Sequence, residues 1–144
     1  MTTKHIPIAL ILLSCFTVAV SAQNMAGKTF TKAFNSDGKS KLRLELPGSV
    51  DMKVWDNPSI RFEISVNLPA NNGSMLNELA NIGRYNLIAK EEGDILVITA
   101  PNLQKQLKVK GEVLKENLTF VVFVPKDMQV EMMPPGPALA DAKK

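Results

Sequence analysis

Cysteine and histidine are almost absent from this sequence. Each occurs once among the 144 residues, as Cys15 and His5, and both lie within the first 22 positions. The rest of the chain has no thiol and no imidazole, which excludes disulfides, cysteine nucleophiles, Ser-His-Asp triads and the usual zinc sites built from Cys and His. We therefore predict a protein that is not an enzyme, with no catalytic residue, no metal site and no cofactor.

The N-terminal segment has the layout of a secretory signal peptide. A short basic start at Lys4 precedes an apolar run over residues 6–20, and small residues occupy the third and first positions before Gln23. Signal peptidases cleave after such a pattern. It predicts a signal peptide over residues 1–22 and an exported protein, either periplasmic or extracellular.

The same segment leaves a second interpretation open. The sequence LLSC, which ends at Cys15, resembles a bacterial lipobox, and in that case a lipid on Cys15 would anchor the protein to a membrane. The apolar run of about 15 residues is shorter than the roughly 20 residues that a transmembrane helix needs. We therefore expect no transmembrane segment in the mature chain under either interpretation.

The chain also has little excess of basic over acidic residues. The chain has 17 basic and 14 acidic residues, and its formal net charge of +3 falls to +2 once Lys4 is removed. Such a small net charge argues against nucleic acid as a partner.

The length of the chain suits one domain. About 120 residues are enough for one core but not for two, so we predict a single domain over residues 23–133. The Pro-rich residues 134–144 have no periodicity and are predicted to be a disordered tail.

Alternation of apolar and polar residues indicates several strands. Residues 60–68 place an apolar side chain at every second position, a period that a helix cannot use. Residues 42–46 alternate in the same way. Residues 85–90 and 95–100 flank a loop that contains glycine, which is typical of a β-hairpin.

One helical pattern interrupts the strands. Ser74 suits an N-cap, apolar residues follow at helical spacing, and Gly83 suits the end of a helix, so a short helix is predicted over residues 75–82. The predicted fold is therefore all-β and mainly antiparallel, either a β-sandwich or a short β-solenoid, with this one helix.

One pattern occurs twice. Residues 46–54 and residues 124–132 both read as an aliphatic residue, proline, two turn residues, and then an apolar residue at every second position. Each copy predicts a turn, at Pro47 and at Pro125, followed by a half-buried strand.

Two stretches carry a resemblance to a known family. Residues 42–68, with PGSVDMKVWDNPSI, and residues 93–132, with GDILVI and LTFVVFVPKDMQVEM, resemble the opening section of the bacterial head-GIN-like auto-transporter adhesin family and its adhesin-like β-solenoid relatives. The resemblance implies an exported β-solenoid or elongated β-sandwich without catalytic residues. The chain departs from the family where the sequence PPGP begins, since members continue there into further repeats.

Trp55, Asp56 and Asn57 are the candidate ligand-binding residues. An aromatic ring at the end of a strand can stack on a sugar, while the two polar side chains hydrogen-bond its hydroxyl groups. The alternative is that Trp55 closes one end of the core and that Asp56 and Asn57 only form a turn. Together with the family resemblance, the sequence favours an adhesin-like binding or structural module of the cell envelope. A carbohydrate and another envelope protein both fit as its partner.

The acidic residues allow a second function. Glu45 and Glu63 are predicted on the outward faces of neighbouring strands, where a pair of carboxylates could serve a small carbohydrate-active enzyme. Lys105, Lys108 and Lys110 form a basic stripe that either meets an anionic ligand or guards an edge strand.

Overall fold

The computed structural model describes residues 26–69 and 73–136. The predicted signal peptide over residues 1–22, the alternative lipid anchor at Cys15, and residues 137–144 of the predicted tail lie outside the described residues. Residues 134–136, which begin that tail, follow the last strand without regular secondary structure.

Ten strands and one helix make up the described chain. Their bounds are β1 Ala26–Asn35, β2 Lys41–Glu45, β3 Ser49–Trp55, β4 Ser59–Leu68, α1 Gly73–Asn81, β5 Ile88–Glu92, β6 Ile95–Thr99, β7 Lys108–Val109, β8 Glu112–Val113, β9 Asn117–Pro125 and β10 Gln129–Met133. One sheet has the order β1-β4-β9-β3, a second has the order β10-β2-β6-β5, and β7 pairs only with β8. The all-β prediction with one short helix is confirmed. The sheets are mixed, because β2–β6, β2–β10 and β3–β9 are parallel pairs.

One core lies between the two sheets. Along β4, every second side chain is buried and the others are half-buried, as the alternation over residues 60–68 predicts. The buried residues of β4 pack with those of β9 and with leucines of the second sheet, and the largest fully buried members are Ile60, Phe62, Ile64, Phe120, Leu42 and Leu44. The outer face of the β1-β4-β9-β3 sheet therefore carries the alternate residues of the same strands.

The repeated proline pattern marks the two places where the chain changes sheets. Pro47 follows β2 in one sheet and leads to β3 in the other, whereas Pro125 ends β9 and the chain then crosses in the opposite direction to β10. At the first crossing Gly48 has a φ of +100°, and a Cβ there would lie 2.9 Å from the Leu118 carbonyl oxygen. A larger residue at this position would be strained both by its backbone conformation and by this contact.

Helix α1 ends one residue before the predicted boundary, through a glycine cap. Gly83 has a φ of +79°, the Arg84 N–H donates to the Leu79 carbonyl over 2.9 Å, and the Gly83 N–H donates to the Ala80 carbonyl over 3.0 Å. This pair of hydrogen bonds is the Schellman motif. No helix within residues 26–69 and 73–136 has the length and apolar character needed to cross a membrane.

A buried ion pair joins the segment after α1 to the start of β9. Arg84 and Glu116 are only 8% and 6% exposed in their side chains, and Nη2 of Arg84 lies 2.6 Å from Oε2 of Glu116. The Tyr85 hydroxyl donates to Oε1 of Glu116 over 2.9 Å, and Arg84 Nη1 donates to the carbonyls of Asn102 and Lys105. The pattern over residues 85–90 predicts a strand there, but β5 begins only at Ile88, because Tyr85 is held in this network.

Candidate functional site

A groove forms where β9 ends between β3 and β4. These two strands follow one another in sequence, but β9 lies between them, so the link formed by Asp56, Asn57 and Pro58 must pass across the end of β9 at Pro125. The chain then leaves β9 toward the other sheet. The link, the crossing over residues 125–128 and the turn between β1 and β2 enclose a groove of about 490 Å³.

Trp55 is held in a fixed orientation at this groove. Its indole N–H donates to the Ser59 carbonyl over 2.9 Å, which ties the end of β3 to the start of β4. On the outer face of the sheet, the Trp55 ring lies 5.4 Å from the Phe123 ring, and the Arg61 guanidinium lies 5.7 Å from Trp55 and 4.7 Å from Phe123. These contacts leave Trp55 half-buried, with its ring supported from behind.

Asp56 and Asn57 use part of their polar groups within the protein. The Asn57 Oδ1 accepts hydrogen bonds from the Ser59 amide at 2.9 Å and the Ser59 hydroxyl at 2.8 Å, which is an Asx turn. Asp56 forms an ion pair with Lys126, although its side chain is 81% exposed. The turn expected in the alternative interpretation is therefore present, and it lies in the wall of a groove that also contains Trp55.

The turn between β1 and β2 supplies the opposite wall of the groove. Ser40 donates from its hydroxyl and its backbone amide to the Asp94 carboxylate, and these hydrogen bonds lower the pKa of Asp94. Lys39 lies 2.9 Å from the Glu91 carboxylate, and the hydrogen bond to that group raises the pKa of Lys39. This wall is thus fixed by charged contacts to the hairpin of β5 and β6.

The prediction that Glu45 and Glu63 lie on neighbouring strands is wrong. Glu45 ends β2 in one sheet and Glu63 lies on β4 in the other, and each faces away from the shared core, so the two carboxylates cannot form one site. Glu63 instead pairs with Arg61. The carboxylates that do share a groove are Asp56 and Asp127.

The sequence did not predict the groove residues that come from distant parts of the chain. The sequence predicted only a turn at Lys126 and Asp127, and nothing in the pattern placed that turn beside the link between β3 and β4.

The predicted lysine stripe does not guard an edge of a main sheet at Lys108 or Lys110. Lys108 lies on β7 and Lys110 has a φ of +51° in the turn of the small hairpin, so neither lies on an edge of a main sheet.

Comparisons with known proteins give little further information. No family model matches the sequence, and no curated protein matches it significantly. Among solved structures, the chain matches a "putative cell adhesion protein" from Clostridium sporogenes with a TM-score of 0.38 and 12% sequence identity. The match covers 74% of this chain and 45% of that protein, so the chain spans less than half of its length. The resemblance to adhesin families therefore stays a proposal.

Proposed function

We propose that this protein is an exported, non-enzymatic binding module of the cell envelope that binds carbohydrate at the Trp55 groove. One observation carries the proposal. The sole tryptophan of the chain is fixed beside a groove of about 490 Å³ that also contains carboxylate, amide and ammonium groups. Grooves of this size are typical of small-molecule sites.

Because the Trp55 ring is already held in place, a ligand that stacks on it would not have to restrict its motion. A flexible aromatic side chain loses conformational freedom when a ligand stacks on it, whereas the Trp55 indole is already held by Ser59, Phe123 and Arg61. The apolar face of a sugar ring can then contact the indole, while its hydroxyl groups meet the polar wall.

The charges of the groove favour a neutral sugar. Lys39 and Lys126 are balanced by Asp56 and Asp127, so the groove has no excess of either sign to attract a strongly charged ligand. Hydroxyl groups both donate and accept hydrogen bonds, which suits a wall that offers carboxylate acceptors and ammonium donors side by side.

Because Trp55 is the only tryptophan, its fluorescence tests the proposal directly. The exported protein is titrated with neutral oligosaccharides from cellulose, chitin, xylan and mannan, with alginate fragments as the anionic comparison. At least one neutral sugar is expected to shift or quench the Trp55 emission and to shield the ring from acrylamide.

Calorimetry with variants then assigns the site. Trp55→Ala should weaken binding of the same sugar at least about tenfold, and Lys126→Ala should weaken it. Lys108→Ala removes an exposed lysine of β7 that does not line the groove, and it should have no effect. Sugar binding that leaves the Trp55 emission unchanged, or no binding by any sugar in the panel, would contradict the proposed site.

One observation keeps an enzymatic function as the second candidate. Asp56 and Asp127 share the groove, and most glycosidases use a pair of carboxylates for catalysis. A general acid needs a buried environment, however, and Asp56 is 81% exposed and paired with Lys126. Release of reducing ends from a bound oligosaccharide, abolished by Asp127→Asn with binding retained, would establish this function instead.

A further inference from the structure

The edge strand β3 presents an uncovered apolar row. Within the described residues, β3 pairs with β9 on one side only, so the backbone groups on its other side have no strand partner. Val50, Met52 and Val54 align with buried residues of β9 and so face the core side of the sheet, yet Met52 is 43% and Val54 65% exposed. An edge of this kind is a template for pairing with another strand.

The outward residues of β3 are charged in a self-complementary order. β3 has seven residues with Met52 at its centre, and Asp51 and Lys53 flank that centre. If two copies of β3 pair antiparallel about Met52, all seven residues find a partner, and Asp51 of each copy faces Lys53 of the other. Opposite charges directly across an antiparallel pair stabilise it.

The neighbouring registers lack this match. A two-fold axis at Asp51 would place that carboxylate opposite its own copy, and an axis at Lys53 would do the same for the ammonium group, which is destabilising. A shift by one residue would place the apolar row opposite the charged row. Only the register centred on Met52 pairs opposite charges and places Val50 against Val54.

We propose that β3 is a dimerisation edge, and that its partner is β3 of a second copy of this chain in the register centred on Met52. The two four-stranded sheets then form one continuous eight-stranded sheet. Met52 and Val54 become covered by the partner's residues, and the pairing uses the same surface on both copies, so it closes at two.

The dimer would also make the proposed carbohydrate site bivalent, a consequence that rests on the proposed function. Trp55 lies three residues from the axis and on the outer face, so the two Trp55 residues lie on the same side of the continuous sheet. Six residue steps along the strands separate them by roughly 20 Å. Two sites at this spacing would bind a polysaccharide more tightly than one site does.

Sedimentation velocity of the exported protein tests the dimer without any sugar. The mass is expected to rise from one copy to two between about 1 and 100 µM. Asp51→Lys and Lys53→Asp each create two like-charged pairs and should raise the dissociation constant at least about tenfold. Lys108→Asp, a charge reversal outside the main sheets, should leave it unchanged.

Mixing the two variants fixes the register. In an equimolar mixture of Asp51→Lys and Lys53→Asp proteins, every introduced lysine faces an aspartate of the other protein, so a mixed dimer should form. Recovery by mixing also shows that both variants are folded. A wild-type protein that stays monomeric over the whole range, or variants that dimerise no better when mixed, would overturn the proposal.

Hydrogen exchange distinguishes pairing with a second copy from coverage of β3 by another part of the same chain. In the proposed dimer, protection of the β3 amides rises with protein concentration. Protection that is strong at every concentration in a monomeric protein would mean that another part of the chain covers β3, and the proposal would then be wrong.

Discussion

Replacing Glu116 by leucine should destabilise the protein more than any change of a surface charge. The substitution removes the carboxylate that faces Nη2 of Arg84 at 2.6 Å and accepts the Tyr85 hydroxyl at 2.9 Å. The guanidinium, with its side chain 8% exposed, would then be buried without a counter-charge. Breaking a buried pair in this way costs about 3 to 5 kcal/mol. The corresponding loss in melting temperature is roughly 10 to 20 °C for a domain of this size.

Urea unfolding followed by far-ultraviolet circular dichroism measures this loss, with two further variants as references. Lys90→Met breaks an exposed pair with Glu92 and should cost no more than about 1 kcal/mol. The double variant Arg84→Met/Glu116→Leu removes both charges and should be more stable than Glu116→Leu alone, because the carbonyls of Asn102 and Lys105 lie in half-exposed or exposed residues that water can reach.

Two results would refute this reasoning. The first is a Glu116→Leu protein within about 1 kcal/mol of the wild type, which would mean that solvent reaches Arg84 as easily as it reaches a surface lysine. The second is a double variant whose loss equals the sum of the two single losses, because residues that interact directly should not be additive.

Two other predictions follow from single residues. Burial raises the pKa of Tyr85, the sole tyrosine, and the hydrogen bond to Glu116 adds to this effect. Phenolate absorbance should therefore not rise at pH ~10. Stability should fall above that pH, because the unfolded chain loses the phenolic proton first, and Tyr85→Phe should make this fall smaller. For export, mass spectrometry of the secreted protein should give a chain that begins at Gln23, and a chain that begins at Cys15 with an attached diacylglycerol would contradict the cleavage prediction.

The sequence predicted what depends on local periodicity. The alternation over residues 60–68 gave β4 with its buried face, and Gly83 gave the end of α1, because both signals lie within a few residues of the structure that they describe. The doubled proline pattern also gave two turns correctly. That these turns are crossings between two sheets could not be predicted, because the partners of the following strands lie elsewhere in the chain.

The site was predicted in the same partial way. Trp55, Asp56 and Asn57 are consecutive, so one turn signal located all three. The opposite walls come from residues about 15 positions earlier and 70 positions later, and alternation carries no information about which strands become neighbours. The ion pair of Arg84 with Glu116 escaped prediction for the same reason, since 32 residues separate its members.

The central place of β9 has a consequence for the order of folding. β3 and β4 adjoin in sequence, yet each pairs with β9, which begins at Asn117 and ends at Pro125. Their sheet cannot be completed until the chain is available to Pro125, so β3 stays unpaired, and β4 can pair only with β1, while most of the chain is synthesised. Pairings over such separations make folding slow. For the export that we propose, this late completion means that the chain can still be unfolded when it crosses a membrane.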